Sequence, residues 1–323
     1  MANVQIFIPT YNRSKQLKDA VFSCLNQTYK DINVVILDNH SSDDTESLVN
    51  NLMQLDNRIR YFKNIENIGM INNFNQIRKY IDADFFCVLT DDDTYNYDFI
   101  EQAIIIFSLY TEIEATVFNV PIKYNGVIGT SQLDDWEEGM YTPKEGVGIH
   151  HCFTGKHPII TNCLFRRSFS KEFIFESDIG VGSDVYIMWK LFSLHNVYVS
   201  KRISSYWNLH GENASLNVSF VDALRGNIIM CMRYHKFVDI NNLRIHKDQY
   251  FPKRYYFIWK IILNSKNNQQ IIAATKDPII NKFFGFYYNN LLLLIAITPI
   301  VPIKYMTRTM LIQIYRKYFK HLR

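Results

Sequence analysis

In the N-terminal part of the chain, short unbroken apolar runs alternate with longer stretches of helical rhythm. Val4-Gln5-Ile6-Phe7-Ile8 is mostly apolar and partly β-branched and stops at Pro9, which predicts a strand. From Arg13 to Leu25 the apolar positions are Leu17, Ala20, Val21, Cys24 and Leu25, the spacing of one helix face. Asn33-Val34-Val35-Ile36-Leu37 is a second strand. The polar run Asp38 to Thr45 that closes it can cap a helix beginning near Thr45-Glu46. Ile59-Arg60-Tyr61-Phe62 predicts a third strand, Gly69 to Tyr80 a helix, and Phe85-Phe86-Cys87-Val88-Leu89 a fourth strand. Strands that are apolar throughout are buried on both faces, and repeated β-α units build a mostly parallel sheet with right-handed crossovers.

The fourth strand runs into Thr90-Asp91-Asp92-Asp93. Adjacent carboxylates repel and cannot be buried together unpaired, so a divalent cation is a natural counter-charge. In open α/β sheets the carboxyl ends of strands hold ligands. The loops after strands one, two and four bring Thr10 and Tyr11, Asp38 and Asn39, and the Asp triplet to one sheet edge. A solvated acidic turn is the plainer reading of the triplet alone. No GxGxxG follows the first strand and no GxxxxGK[ST] occurs, so a Rossmann dinucleotide site and a P-loop are poorly supported.

These residues, taken in order, carry a family resemblance. Ile8-Pro9-Thr10-Tyr11-Asn12-Arg13, Ser23 to Thr28, Leu37 to Thr45, Asn67-Ile68-Gly69 and Leu89 to Tyr95 resemble the opening motifs of family-2 glycosyltransferases of the GT-A fold. Gly182-Ser183-Asp184 and Tyr206 to Ser215 resemble the family's acidic base motif and its late His motif, so the likeness spans residues 1–216.

The resemblance implies that Thr10, Tyr11 and Asn39 line the nucleobase pocket, with Tyr11 stacking on the base. It implies that Asp91 meets the donor ribose and that Pro9, Arg13, Asp38, Asn67, Gly69 and Asn73 complete the donor site. Asp92, Asp93 and His210 are the implied holders of manganese or magnesium, and Asp184 the implied base. Two positions depart from the pattern: Asn39 stands where a second Asp is common, and Thr90 where many members carry the first Asp of the run. An Asn side chain brings donors as well as an acceptor to a site that can read a uracil N–H.

Read without the family, Asp184 follows the Gly-containing stretch 180–183 and opens an amphipathic helix, so it fits both a helix N-cap and a general base. His210 lies in a polar loop beside Gly211, as a ligand or as an exposed turn residue. The remaining histidines, including His150, His151 and His157, are taken as structural or acceptor-side. Asp134-Asp135-Trp136-Glu137-Glu138 is read as a solvated loop, Thr116 to Val120 and Ile159 to Phe165 as strands, and 139–158 as a long loop.

Composition is that of an ordinary globular protein, with 48% apolar and 20% charged residues among 323. Five scattered cysteines without a CxxC argue against a disulfide framework and a structural zinc site. The N-terminus enters a strand with no basic and then apolar leader, which predicts a cytoplasmic protein without a signal peptide.

The net charge of +4 is uneven. No Asp or Glu follows Asp277, whereas Lys282, Lys304, Arg308, Arg316, Lys317, Lys320 and Arg323 do. Helical patterns return at 221–238 and 251–263. Leu291 to Ile303 is apolar but contains Pro299 and Pro302 and is shorter than the ~20 residues that span a bilayer. Tyr305 to Arg323 interleaves apolar and basic residues, the pattern of an interfacial helix on anionic lipid or of a core helix with a solvated face. No nucleic-acid motif accompanies the basic tail.

The expected protein is therefore α/β. A GT-A nucleotide-sugar half (1–99) and an acceptor half (100–216) precede a helical basic region (217–323) that sits on the inner face of the cell membrane. The expected reaction is metal-dependent inverting transfer from a nucleotide-diphosphate-sugar, a UDP-sugar favoured, to a saccharide or lipid-linked acceptor, as in O-antigen or capsule assembly. The competing readings are a non-catalytic sugar-nucleotide-binding or membrane-scaffold protein that keeps the fold, and a nucleotidyltransferase. The second calls for a basic Gly-rich phosphate loop that the N-terminus lacks.

Overall fold

The computed structural model describes residues 2–124, 127–153, 157–209, 218–243 and 268–283. They fall into two compact units, the first of residues 1–177 and 183–216 and the second of 178–182 and 217–323.

The first unit is built on an eight-stranded sheet. β1 (Val4–Thr10), β2 (Ile32–Asp38), β3 (Ile59–Lys63) and β4 (Phe85–Val88) pair in parallel in the order β3-β2-β1-β4. Every residue of β1 and β4 is buried, as apolar runs in a two-sided parallel sheet demand. α1 (Ser14–Leu25) buries Leu17, Ala20, Val21 and Cys24, the face its spacing predicts. α2 (Thr45–Leu55) and α3 (Met70–Tyr80) complete the crossovers. The polar run before α2 acts through Asp43, whose carboxylate accepts from the Thr45 amide at 3.1 Å and from the Ser14 amide at 3.0 Å. One side chain thus holds the starts of two helices. Gly69 precedes α3 with φ +81°, a conformation that side-chain-bearing residues rarely adopt.

β1 is where the strand order reverses, since β2 lies on one side and β4 on the other. In doubly wound sheets ligands sit at the carboxyl ends of the strands flanking such a switch point.

β5 (Thr94–Tyr95) and α4 (Phe99–Leu109) follow the Asp triplet, and then the sheet becomes mixed. β6 (Ala115–Asn119), β9 (Gly139–Tyr141), β10 (Cys163–Arg166) and β11 (Val197–Ile203) are its later strands, while β7 (Pro121–Tyr124), β8 (Val127–Ser131) and β12 (Ser205–Leu209) lie outside it. β10 enters antiparallel between β4 and β6, with Phe165 opposite Phe86 and the two rings stacked at 5.3 Å.

Two expectations change here. The stretch 159–165 is not one strand: a 3-10 turn at Ile160–Asn162 precedes β10, and the buried Asn162 amide donates to the Phe118 carbonyl instead of extending the ladder. The stretch 139–158 is not a plain loop, because it forms β9 and α5 (Val147–Phe153). Trp136 explains this order. It is 2% exposed and stacks on His151 at 4.7 Å, beside Tyr141 and Phe192 of α6 (Ser183–Leu194). The solvated-loop expectation for 134–138 holds for the exposed Asp134, Asp135, Glu137 and Glu138 and fails for the buried Trp136.

A second sheet, β5-β12-β7-β8, pairs Tyr206 with Thr94 and so carries the chain of β12 back to the Asp triplet.

In the second unit, Ser219 caps α7 (Phe220–Ile240) by accepting from the Asp222 amide at 3.1 Å. Gly226 lies against the Ile179 carbonyl, too close for any Cβ. Arg225 Nε donates to Asp277, just beyond α8 (Asn268–Lys276), at 2.7 Å. Among the described residues no helix is long and apolar enough to cross a membrane. The expected helix 251–263, His210, and the tail from 284 lie outside the described residues.

Candidate active site

The loops after β1, β2 and β4 converge, as expected, through hydrogen bonds between them. The Asn39 amide donates to the Thr10 carbonyl at 2.9 Å, and Thr10 Oγ1 donates to Asp91 Oδ2 at 2.7 Å. Asn12, in the left-handed region at φ 52°, accepts from the Ser42 amide at 2.8 Å and donates its own amide to Ser41 Oγ at 2.9 Å. Pro9 is buried within β1, whereas Tyr11 is 43% exposed on this edge and open to stacking. Asp38 is fully buried. Its carboxylate accepts from the Ser41 amide at 2.8 Å and the Tyr61 hydroxyl at 2.6 Å, so it braces the β2 loop.

Four asparagines form a closed network beside it. Asn39 Oδ1 accepts from Asn64 Nδ2 at 3.1 Å and the Ile68 amide at 3.0 Å, while Asn39 Nδ2 donates to Asn67 Oδ1 at 2.8 Å. Asn67 Oδ1 also accepts from the Gly69 amide at 2.9 Å. Asn73 accepts from Asn64 Nδ2 at 2.9 Å and donates to the Leu37 carbonyl at 2.9 Å. Asn39 is therefore the hub joining the β2 loop to the start of α3. An aspartate there has no N–H to give Asn67, which accounts for Asn at this position. Asn64 was missed in the sequence. Its signal was its place directly after β3, the same strand-end rule that singled out Thr10 and Asn39.

The triplet divides by role. Asp91 and Asp92 each accept from Arg13 Nη1, Asp91 Oδ1 at 3.1 Å and Asp92 Oδ2 at 3.0 Å. Asp93 turns the other way: Oδ2 accepts from Thr90 Oγ1 at 2.7 Å and Oδ1 from the Asn208 amide at 3.0 Å. Asn208 Nδ2 also donates to the Asp92 carbonyl at 2.9 Å, so β12 clamps the triplet's backbone. Burial pushes the Asp91 carboxyl up to about 6, against the pull of the Arg13 charge and the Thr10 hydrogen bond. Burial likewise pushes Asp93 to about 7, against the Asn208 amide.

Asp91 and Asp92 thus converge on one point of positive charge, the Arg13 guanidinium. The donor set suits a hard divalent cation held by one or two carboxylates and completed by phosphate oxygens. Among the described residues no group of three or more His, Cys, Asp or Glu side chains is placed to hold a metal ion by itself. Asp93, the other expected metal holder of the triplet, faces Thr90 and Asn208 instead of Arg13.

Asp184 lies in the first turn of α6, and its Oδ1 accepts from the Val185 amide at 2.7 Å. The neighbouring Ser183 hydroxyl donates to the Glu176 carbonyl at 2.8 Å instead of capping the helix. Burial raises the Asp184 pKa, opposed by the charge of His157, so that histidine lies in the surroundings of Asp184. Asp184 in turn raises the Cys163 thiol, after burial and other thiols. Along the β10–β4 register Cys163 stands at the carboxyl end of β4, the end from which the triplet springs. Nothing in the sequence order had linked His157 to Asp184.

The doubly wound half, its acidic switch point and the mixed later half make up the GT-A architecture, and the chain is a glycosyltransferase. Solved structures agree on the fold. S. aureus TarS 1-349 in complex with UDP-GlcNAc matches with a TM-score of 0.60 at 16% identity, over 91% of this chain and 89% of that one. The mannosyltransferase PcManGT from Pyrobaculum calidifontis, in complex with GDP-Man and Mn2+, matches with a TM-score of 0.53 at 14% identity, over 99% and 88%.

The chain belongs to glycosyl transferase family 2, whose family model matches residues 5–172. A curated relative from Campylobacter jejuni, the GalNAc(5)-diNAcBac-PP-undecaprenol beta-1,3-glucosyltransferase, is 39% identical over 95 residues, which span 29% of this chain and only 30% of that relative. An uncharacterized glycosyltransferase of Haemophilus influenzae is 24% identical over 226 residues, 66% of this chain and 67% of the relative.

Proposed function

We propose that this enzyme moves a sugar, with inversion, from a nucleotide-diphosphate-sugar to a lipid-linked saccharide in the assembly of a bacterial surface polysaccharide. The observation that carries the reading is the convergence of Asp91 and Asp92 on one cationic position at the switch point. Tyr11 stacks on the nucleobase, and the Asn39 network shapes the wall beside it. A uridine donor is favoured, in keeping with the UDP-GlcNAc bound by TarS.

Asp91 and Asp92 hold a divalent cation, and Asp93 positions them by anchoring the triplet to Asn208 and Thr90. When bound, the cation supplies Lewis-acid neutralisation of the leaving diphosphate. Asp184 takes the proton from the attacking acceptor hydroxyl, and a carboxyl raised by burial is a stronger base than an exposed one. A single displacement on the face opposite the leaving group inverts the anomeric centre. The lipid-linked acceptor is supported by the name of the C. jejuni relative, and membrane-surface docking by the acid-free basic tail.

The test is a donor screen that follows nucleoside-diphosphate release by the purified full chain, with polyprenyl-diphosphate-linked saccharides as acceptors. Asp92→Asn should abolish metal-dependent turnover while the melting temperature stays near that of the wild type. Full turnover in excess chelator would refute the metal reading.

A further inference from the structure

No Lys or Arg stands between Lys79 and Lys123 in the sequence to partner the triplet locally. The fold provides one. Arg13 comes from the loop after β1, across the switch point, and its Nη1 lies 3.1 Å from Asp91 Oδ1 and 3.0 Å from Asp92 Oδ2. Both carboxylates are nearly enclosed, at 8% and 10% side-chain exposure, whereas the Arg13 side chain is 25% exposed. Its backbone is fixed as the N-cap of α1, with its carbonyl accepting from the Leu17 amide at 2.9 Å. That backbone bond does not depend on where the side chain lies.

We propose that Arg13 is a displaceable counter-charge, the occupant of the cation position until donor and metal arrive together. This rests on the metal reading of Asp91 and Asp92. Two buried carboxylates without a partner repel each other, so the guanidinium stabilises them before the donor comes. It also raises the cost of binding a cation alone, because the cation must first evict it. A diphosphate changes that balance. A guanidinium is a planar fork that fits phosphate oxygens in a bidentate manner. When the donor enters, Arg13 exchanges carboxylate oxygens for phosphate oxygens, and the vacated carboxylates take the cation. Metal and donor then bind cooperatively, each favouring the other by the same factor.

The experiment measures Mn2+ binding to the full chain by electron paramagnetic resonance and calorimetry, with and without UDP, buffered well above the carboxylate range. Arg13→Gln should bind Mn2+ alone about tenfold or more tightly than the wild type, because its carboxylates are no longer occupied. The cooperativity between Mn2+ and UDP should shrink by a similar factor. Arg13→Lys, which keeps a cation on the pair, should stay near the wild type for Mn2+ alone. If Arg13→Gln does not fold, Arg13→Met carries the same test, since it keeps the aliphatic stem and drops the charge. Charge-removing variants that bind Mn2+ no more tightly than the wild type overturn the proposal. If wild type and variants all fail to take Mn2+ even with UDP present, the metal reading falls with it.

Discussion

On the proposed reading Asp184 is the general base, and its surroundings set the pH at which it would work. Burial raises its pKa, and the charge of His157 pulls it back. A general base acts in its deprotonated form, so a raised pKa moves the acid limb of the rate profile to higher pH than an unperturbed carboxylate would set. Asp184→Asn should lower kcat by at least ~100-fold with KM for the donor nearly unchanged, because it removes proton transfer and not ground-state binding. His157→Gln removes the opposing positive charge, so the acid limb should shift to still higher pH; a kcat-against-pH profile reads both changes. A variant that loses donor affinity and keeps its turnover would assign Asp184 to the helix start alone. Among these residues the sequence exposed the carboxylates, because charged residues after an apolar strand stand out. It did not expose their partners, because Arg13, His157 and Asn208 reach the carboxylates only through tertiary contacts.

At the level of elements, the donor edge depends on how each helix is launched from its strand. Gly69 opens α3 at φ +81°, ψ 156°, a region almost reserved for glycine, while a Cβ there would meet nothing within 4 Å. Gly69→Ala should therefore cost backbone strain without a clash, on the order of 1–3 kcal/mol, read as a lowered denaturation midpoint. Because the Gly69 amide is held by Asn67, and Asn67 by Asn39, the strain should also weaken donor binding. An unchanged midpoint would mean that α3 can start one residue later. The strands and helices of this half were legible as apolar runs and helical spacing, since local burial repeats with the period of the backbone. The later half was less so. Its strands are short, its pairing is mixed, and Trp136 gathers an aromatic cluster from three separate segments that no local period announces.

For the whole molecule, the charge distribution supplies the prediction. The segment 305–323 carries five Arg or Lys among apolar residues at helical spacing and no acid. Each basic residue near an anionic surface contributes about 1 kcal/mol, screened by salt. Full-length protein should float with phosphatidylserine-containing vesicles at low salt and be released as salt rises. A chain truncated after Asn290, which keeps every described residue, should stay in the soluble fraction and still release nucleoside diphosphate. If the full-length protein ignores such vesicles at low salt, the tail belongs to a core or to an interface between copies.

The sequence by itself determined the order of the β-α units, the buried strands and the cluster of polar residues at their carboxyl ends. These follow from local patterns of burial and from the rule that strand ends face ligands. Only the tertiary structure decided how the polar residues divide their work. Asp38 and Asp93 are spent on bracing loops, Asn39 becomes the hub of an amide network, and Asp91 and Asp92 are left facing Arg13. The reason is geometric: a carboxylate's role depends on which donors lie within about 3 Å, and those donors come from loops far away along the chain.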